Sequence, residues 1–244
     1  MKKVLTIFIT MLSMIIYTNV YAEEYYYQNN NGVSFTKEEF EFLNSFYFEG
    51  YPEYMTLNDY EEFTKSNIMN GKIQIASSNN LNNYMPLVDV SYPTNKKTLK
   101  LSSSCSGTIC SMAITLTWTQ NPNVRSYDLI GSLVENTNIT SRSGAKLYYS
   151  GENILPVEQK TQTNAISSTY KLPDSGSNII VMENYNVNNS GKVIASYQHA
   201  TQNISLATSR NYNFSTNGYG AVFAFYSGAG NYYDGMLGVY LMLG

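Results

Sequence analysis

The chain has 244 residues but only two cysteines, one histidine, one tryptophan and six prolines, and charged side chains make up just 14% of it. These scarcities exclude chemistry. Cys105, Cys110 and His199 cannot supply the four ligands of a structural zinc site, and their spacing matches no common zinc pattern. Four residues separate the cysteines, where a redox pair has two. No D-x-D-x-D-G loop for calcium and no G-x-S-x-G elbow for a serine nucleophile occurs. His199, in "ASYQHATQN", is the one side chain that could serve a hydrolase as an imidazole base, and its position in a strand-like run reads as structural. No metal site, no cofactor and no catalytic residue is therefore expected. Basic residues form no stripe, which argues against nucleic acid as a partner.

Long apolar runs are also missing, except at the start. "MKKVLTIFITMLSMIIYTNVYA" joins two lysines, an apolar run from Val4 to Ile16 and small residues at the −3 and −1 positions, Val20 and Ala22. That is the grammar of a secretory signal cleaved after Ala22. The run is too short to cross about 30 Å of hydrocarbon. The expectation is a secreted, extracellular protein with no membrane span after cleavage. "KLPDSG", residues 171–176, resembles a sortase signal, but no apolar anchor follows it, and it reads as a turn.

Charge divides the remainder. Residues 23–70 hold ten acids against Lys37 and Lys65, while residues 71–244 carry a small positive excess. The expected organisation is an acidic helical hairpin at 23–70, a linker at 71–95 and a β domain at 96–244. In the hairpin, Thr36 and Glu39 form a capping box flanked by the staple pair Phe35 and Phe40. Thr56 and Asp59, flanked by Met55 and Tyr60, repeat the pattern twenty residues on. The spacing predicts helices over 37–48 and 57–66, with Gly50 and Pro52 stopping the first. Phe40, Leu43, Phe46 and Tyr47, then Tyr60 and Phe63, are the expected inward residues. Neither helix is long enough to be stable alone, so the pair must dock, on its own β domain or on a partner. Residues 30–65, with a weaker echo at the cysteine hairpin, resemble stretches of uncharacterised secreted proteins of low-GC Gram-positive bacteria. The resemblance implies no activity.

Beyond residue 95 the period changes. "SMAITLTWT" alternates Met112, Ile114, Leu116 and Trp118 against Ala113, Thr115, Thr117 and Thr119. Further short runs follow, separated by "NPN", "NNSG", "STNG" and "GAGNYYDG". This pattern predicts a mainly β protein, an antiparallel β-sandwich of jelly-roll or Ig-like kind, with eight to ten strands in 96–244. The cysteines lie in its first hairpin. Pairing Cys105 with Cys110 puts Ser103 opposite Met112, Leu101 opposite Ile114 and Leu99 opposite Leu116, all on one face. In an oxidising compartment that register predicts a disulfide across a loop "SGTI". Two reduced thiols are the alternative.

Three functional readings compete. The first is a secreted binding or interaction protein recognising an extracellular glycan or protein, its oligomeric state open. The chain has 23 tyrosines, many in expected loops, among them Tyr148 and Tyr149. Tyr219, Tyr232, Tyr233 and Asp234 are the candidate ligand-binding residues, because tyrosine offers a rigid ring with a polar tip. The second is a glycan-active hydrolase. It would need two converging carboxylates from Asp128, Glu135, Glu152, Glu158, Asp174, Glu183 and Asp234. The third is an oligomerising or pore-forming β protein, suggested by the Ser/Thr-rich runs "TQTNAISSTY" and "VIASYQHATQNISLATS".

Overall fold

The structure is a computed structural model that describes residues 25–65, 88–203, 213–214, 223–224 and 237–244. The signal segment, the candidate residues Tyr219, Tyr232, Tyr233 and Asp234, and a strand expected near residues 72–76 lie outside the described residues.

Two antiparallel sheets pack face to face. The six-stranded sheet has the order β3-β4-β5-β11-β7-β8, with β3 at Val88–Pro93, β4 at Lys97–Ser106, β5 at Ile109–Trp118, β7 at Ile139–Tyr149, β8 at Glu152–Ile154 and β11 at Ile180–Asn188. The five-stranded sheet has the order β15-β12-β6-β10-β9, with β6 at Tyr127–Glu135, β9 at Glu158–Gln162, β10 at Ala165–Lys171, β12 at Gly191–His199 and β15 at Leu237–Leu243. Two small pairs stand apart: β1 (Tyr27–Gln28) with β2 (Ser34–Phe35), and β13 (Asn213–Phe214) with β14 (Phe223–Ala224). The fold is the expected β-sandwich, and ten of its eleven sheet strands fall in residues 96–244. The exception is β3, so the sheet begins eight residues before the boundary drawn at 96.

The core between the sheets follows the period-2 pattern. Leu99, Leu101, Met112, Ile114 and Leu116 from one sheet meet Ile130, Val134, Ile166, Val193 and Ala195 from the other. Tyrosines pin the layers through their hydroxyls. Tyr185 donates to Ser132 Oγ at 2.7 Å, and Tyr170 donates to the Met182 carbonyl at 3.1 Å.

The cysteine hairpin has the predicted register. Cys105 pairs with Cys110, Ser103 with Met112, Leu101 with Ile114 and Leu99 with Leu116, and the two sulfurs are bonded. The ladder runs one pair further than expected, to Ser106 and Ile109, leaving a two-residue turn. Gly107 takes φ 60° there, which a glycine adopts without strain.

The alternating strand β5 is covered on both faces along its middle. Ala113 and Thr115 are buried as deeply as their inward neighbours, because the helical segment covers them. That segment holds α1 (Lys37–Phe46), α2 (Tyr51–Tyr54) and α3 (Leu57–Lys65). Both capping boxes form: Thr36 Oγ1 accepts from Glu39 N at 3.2 Å, and Thr56 Oγ1 from Asp59 N at 3.2 Å. Pro52 does not merely stop a helix. It sits in the first turn of α2, where its missing N–H costs nothing, after Gly50 at φ 88°. Phe42, Leu43, Phe46, Tyr47, Phe48, Tyr51, Met55 and Phe63 pack against Ala113, Tyr148, Ile180 and Met182 of the six-stranded sheet. Phe40, expected inward, is only half-buried and instead meets Tyr26 and Tyr27. Polar contacts fix the angle of docking: Lys146 Nζ to Asp59 Oδ1 at 2.5 Å, and Thr115 Oγ1 to the Tyr47 carbonyl at 3.2 Å. The described residues thus form three layers: helices, six strands, five strands.

Strands β10 and β12 are each paired on both sides and buried on both faces. Their serines and threonines are small residues at close-packed positions; Ser167, Ser168, Thr169 and Ser196 are all fully buried.

Candidate functional site

The richest polar cluster lies at one end of the sandwich, where β5 stops. Register builds it. Lys97, first in β4, pairs with Trp118, last in β5. Across the core, His199, last in β12, pairs with Asp128 near the start of β6. Asp128 is fully buried, and His199 Nδ1 lies 2.7 Å from its Oδ1. Tyr197 donates its hydroxyl to Asp128 Oδ2, and the Trp118 indole N–H donates to the same Tyr197 oxygen at 3.0 Å. The Trp118 and His199 rings meet edge to face, centroids 4.9 Å apart. The Lys97 ammonium stands 5.0 Å from the Trp118 ring centre and 5.4 Å from that of Tyr197, a cation–π arrangement strengthened by burial. The network locks Trp118 and His199 in single orientations, so the surface they help to form is preorganised.

Trp118 walls two clefts. One, of about 710 Å³, is lined by Lys96, Lys97, His199, Asn95, Gln120 and Asn121, among others. Its rim is a tight turn: Thr94 Oγ1 accepts from Lys97 N at 3.0 Å, and Thr119 and Gln120 N–H groups both reach the Lys96 carbonyl. The other cleft, of about 650 Å³, lies between the helical layer and the sheet and is lined by Glu49, Glu53, Tyr54, Asn31, Asn153 and Asn178, among others. Asn29 shapes that side. Its buried amide donates to the Pro52 and Met55 carbonyls, both at 2.7 Å, and its Oδ1 accepts from Asn31 N and Val33 N. One side chain thereby fastens the β1–β2 turn to α2 and sets Asn30 and Asn31 on the cleft. Burial and the Glu53 carboxylate raise the hydroxyl pKa of Tyr27 beside it.

The sequence-proposed acids are spread over the fold. Glu135 faces Lys192 at 3.8 Å, Glu152 accepts from Tyr149, and Asp174 lies 3.9 Å from Lys171. Glu183 is fully buried between the sheets, where Arg142 meets it through Nε at 2.8 Å and Nη2 at 3.2 Å, and Ser168 Oγ donates to it. Burial pushes its carboxyl up to about 7, against the pull of Arg142. Among the described residues no group of three or more His, Cys, Asp or Glu could hold a metal. Tyr148 and Tyr149, expected in a loop, end strand β7; Tyr148 is buried among Phe48, Tyr51 and Tyr54. The "KLPDSG" turn connects the two sheets, and Arg125 donates to the carbonyls of Pro173, Ser175 and Gly176.

No known protein family matches the chain, and no curated protein does. Among solved structures a match is the full-length major pilin SpaD from Corynebacterium diphtheriae, at 8% identity and a TM-score of 0.30. That match covers 45% of this chain and 30% of the pilin.

Sequence reasoning placed its tyrosine-based site elsewhere and missed the Trp118 end. Lys97, Trp118, Asp128, Tyr197 and His199 come from four strands, so no local motif announces them. The one local signal was the density of asparagine in the turns: 29–31, 121 and 123, and 178.

Among the described residues no helix is long and apolar enough to cross a membrane.

Proposed function

We propose that the chain is an exported binding protein whose ligand seat is the Trp118 end of the sandwich, and that the ligand is a glycan of the extracellular space. The observation that carries this reading is the pair of adjoining clefts lined by side-chain amides. Amides offer both donors and acceptors, which suits a hydroxyl-rich ligand. Tyr54 and the locked Trp118 add aromatic edges. Reading residues 1–22 as a cleaved signal, together with the Cys105–Cys110 disulfide, supports a place outside the cell.

A glycan array probed with the full mature chain tests this. The expected result is binding that Asn31→Ala and Asn121→Ala each weaken while the thermal midpoint stays put. A folded chain that binds nothing on the array, or binding indifferent to both substitutions, overturns the reading.

A further inference from the structure

The two clefts have opposite charge. Among the described lining residues the cleft at Glu49 and Glu53 carries two carboxylates and no base. Its neighbour at Lys96 and Lys97 carries two ammonium groups, one imidazole and no acid. Glu49, Glu53 and Lys96 are exposed, so their charges reach a ligand directly. Trp118 is the wall between them.

Each class of simple ligand meets only half of this arrangement. A polyanion gains at the Lys96 side and is repelled at Glu49 and Glu53. A polycation meets the reverse, and a neutral sugar uses the amides alone. Only a ligand with both signs along its length gains on both sides of Trp118. Resting on the glycan reading above, we propose that the ligand is a zwitterionic glycan, with ammonium groups seated at Glu49 and Glu53 and an anionic group seated at Lys96. An exposed ion contact changes affinity about 1.5- to fivefold. One contact at each cleft therefore favours the zwitterion about 1.5- to fivefold over a singly charged relative and roughly tenfold over a neutral one.

The experiment titrates the full mature chain with four forms of one hyaluronan oligosaccharide by calorimetry. These are partly N-deacetylated (zwitterionic), fully N-acetylated (anionic), partly deacetylated with reduced carboxyls (cationic), and acetylated with reduced carboxyls (neutral). The expected result is tightest binding to the zwitterion, by about 1.5- to fivefold over the anionic and cationic forms and roughly tenfold over the neutral one, weakening with added salt. Lys96→Glu should abolish the preference over the cationic form, and Glu49→Gln with Glu53→Gln the preference over the anionic form. These residues are exposed, so circular dichroism should confirm unchanged folding. Equal binding of the neutral and zwitterionic forms, or tightest binding of the anionic or cationic form, overturns the charge assignment while leaving the glycan reading standing. Binding of none of the four by a folded chain overturns this assignment, and an empty array overturns the glycan reading itself.

Discussion

Glu183 should make the protein less stable as pH rises toward neutrality. Its carboxyl sits wholly buried on the inward face of β11, with a folded-state pKa of about 7 against an ordinary value of 4.5. The folded chain then binds more protons than the unfolded chain between those two values. Stability therefore falls as pH climbs from about 4.5 to about 7 and levels off above. The interval of about 2.5 units corresponds to roughly 3 kcal/mol at 1.36 kcal/mol per unit. Urea unfolding at pH 5.0, 6.0, 7.0 and 8.0, followed by Trp118 fluorescence, reads this directly, since the chain has one tryptophan. The midpoint should drop by about 1–2 M urea across the series. Glu183→Gln, which keeps the shape without the titration, should flatten the profile. Arg142→Met should steepen it, because an unpaired buried carboxylate costs about 3–5 kcal/mol at pH 8 and far less once protonated. A midpoint that holds or rises between pH 5 and 7, or a Glu183→Gln profile parallel to the parent, would refute the reasoning.

Three further outcomes follow from packing and covalent geometry. Phe42→Ala removes a fully buried ring from the helix–sheet interface and should cost about 3–5 kcal/mol. Hydrogen exchange should then rise in α1 and α3 before it rises in β5. Replacing both cysteines by alanine should lower stability by about 2 kcal/mol, the value for so short a loop; alkylation of both thiols without reductant would show the bond absent. Gly191 takes φ 78°, and a Cβ there would lie 2.3 Å from the Glu135 carbonyl oxygen. Gly191→Ala should therefore destabilise by several kcal/mol, more than typical point substitutions, whereas Gly32→Ala, with open space around it, should cost little beyond backbone strain.

What could be read in the sequence was local. Thr36 with Glu39, Thr56 with Asp59 and the facing cysteines each lie within a few residues, and each geometry is as anticipated. The alternation of β5 marked its core face for the same reason. Its second face could not be read: Thr115 looks solvated in sequence but lies under Tyr47, a residue 68 positions away. The serines of β10 and β12 hide their burial likewise, since a small hydroxyl fits either solvent or a crowded interior. The Trp118 end depends on which strand termini meet, and that is decided by sheet order. No periodicity encodes that a residue of β4 will share a cleft with the end of β12.

Sheet order also governs how such a chain can assemble. The path crosses from one sheet to the other between β5 and β6, β6 and β7, β8 and β9, β10 and β11, and β11 and β12. Strand β11 fills the gap between β5 and β7, while β12 adds to β6 and provides the edge on which the later β15 pairs. Until these two adjacent strands arrive, each layer is an incomplete set of ribbons with open edges. One short piece of chain around Gly191 thus closes the six-stranded layer and carries the five-stranded layer to the point where β15 can add its edge. Nascent or truncated forms ending before Ile180 carry most of the sequence yet neither finished layer. Folding becomes a single late event with a slow, topology-limited rate, and the clamped β4–β5 hairpin is the longest hairpin available to form ahead of it.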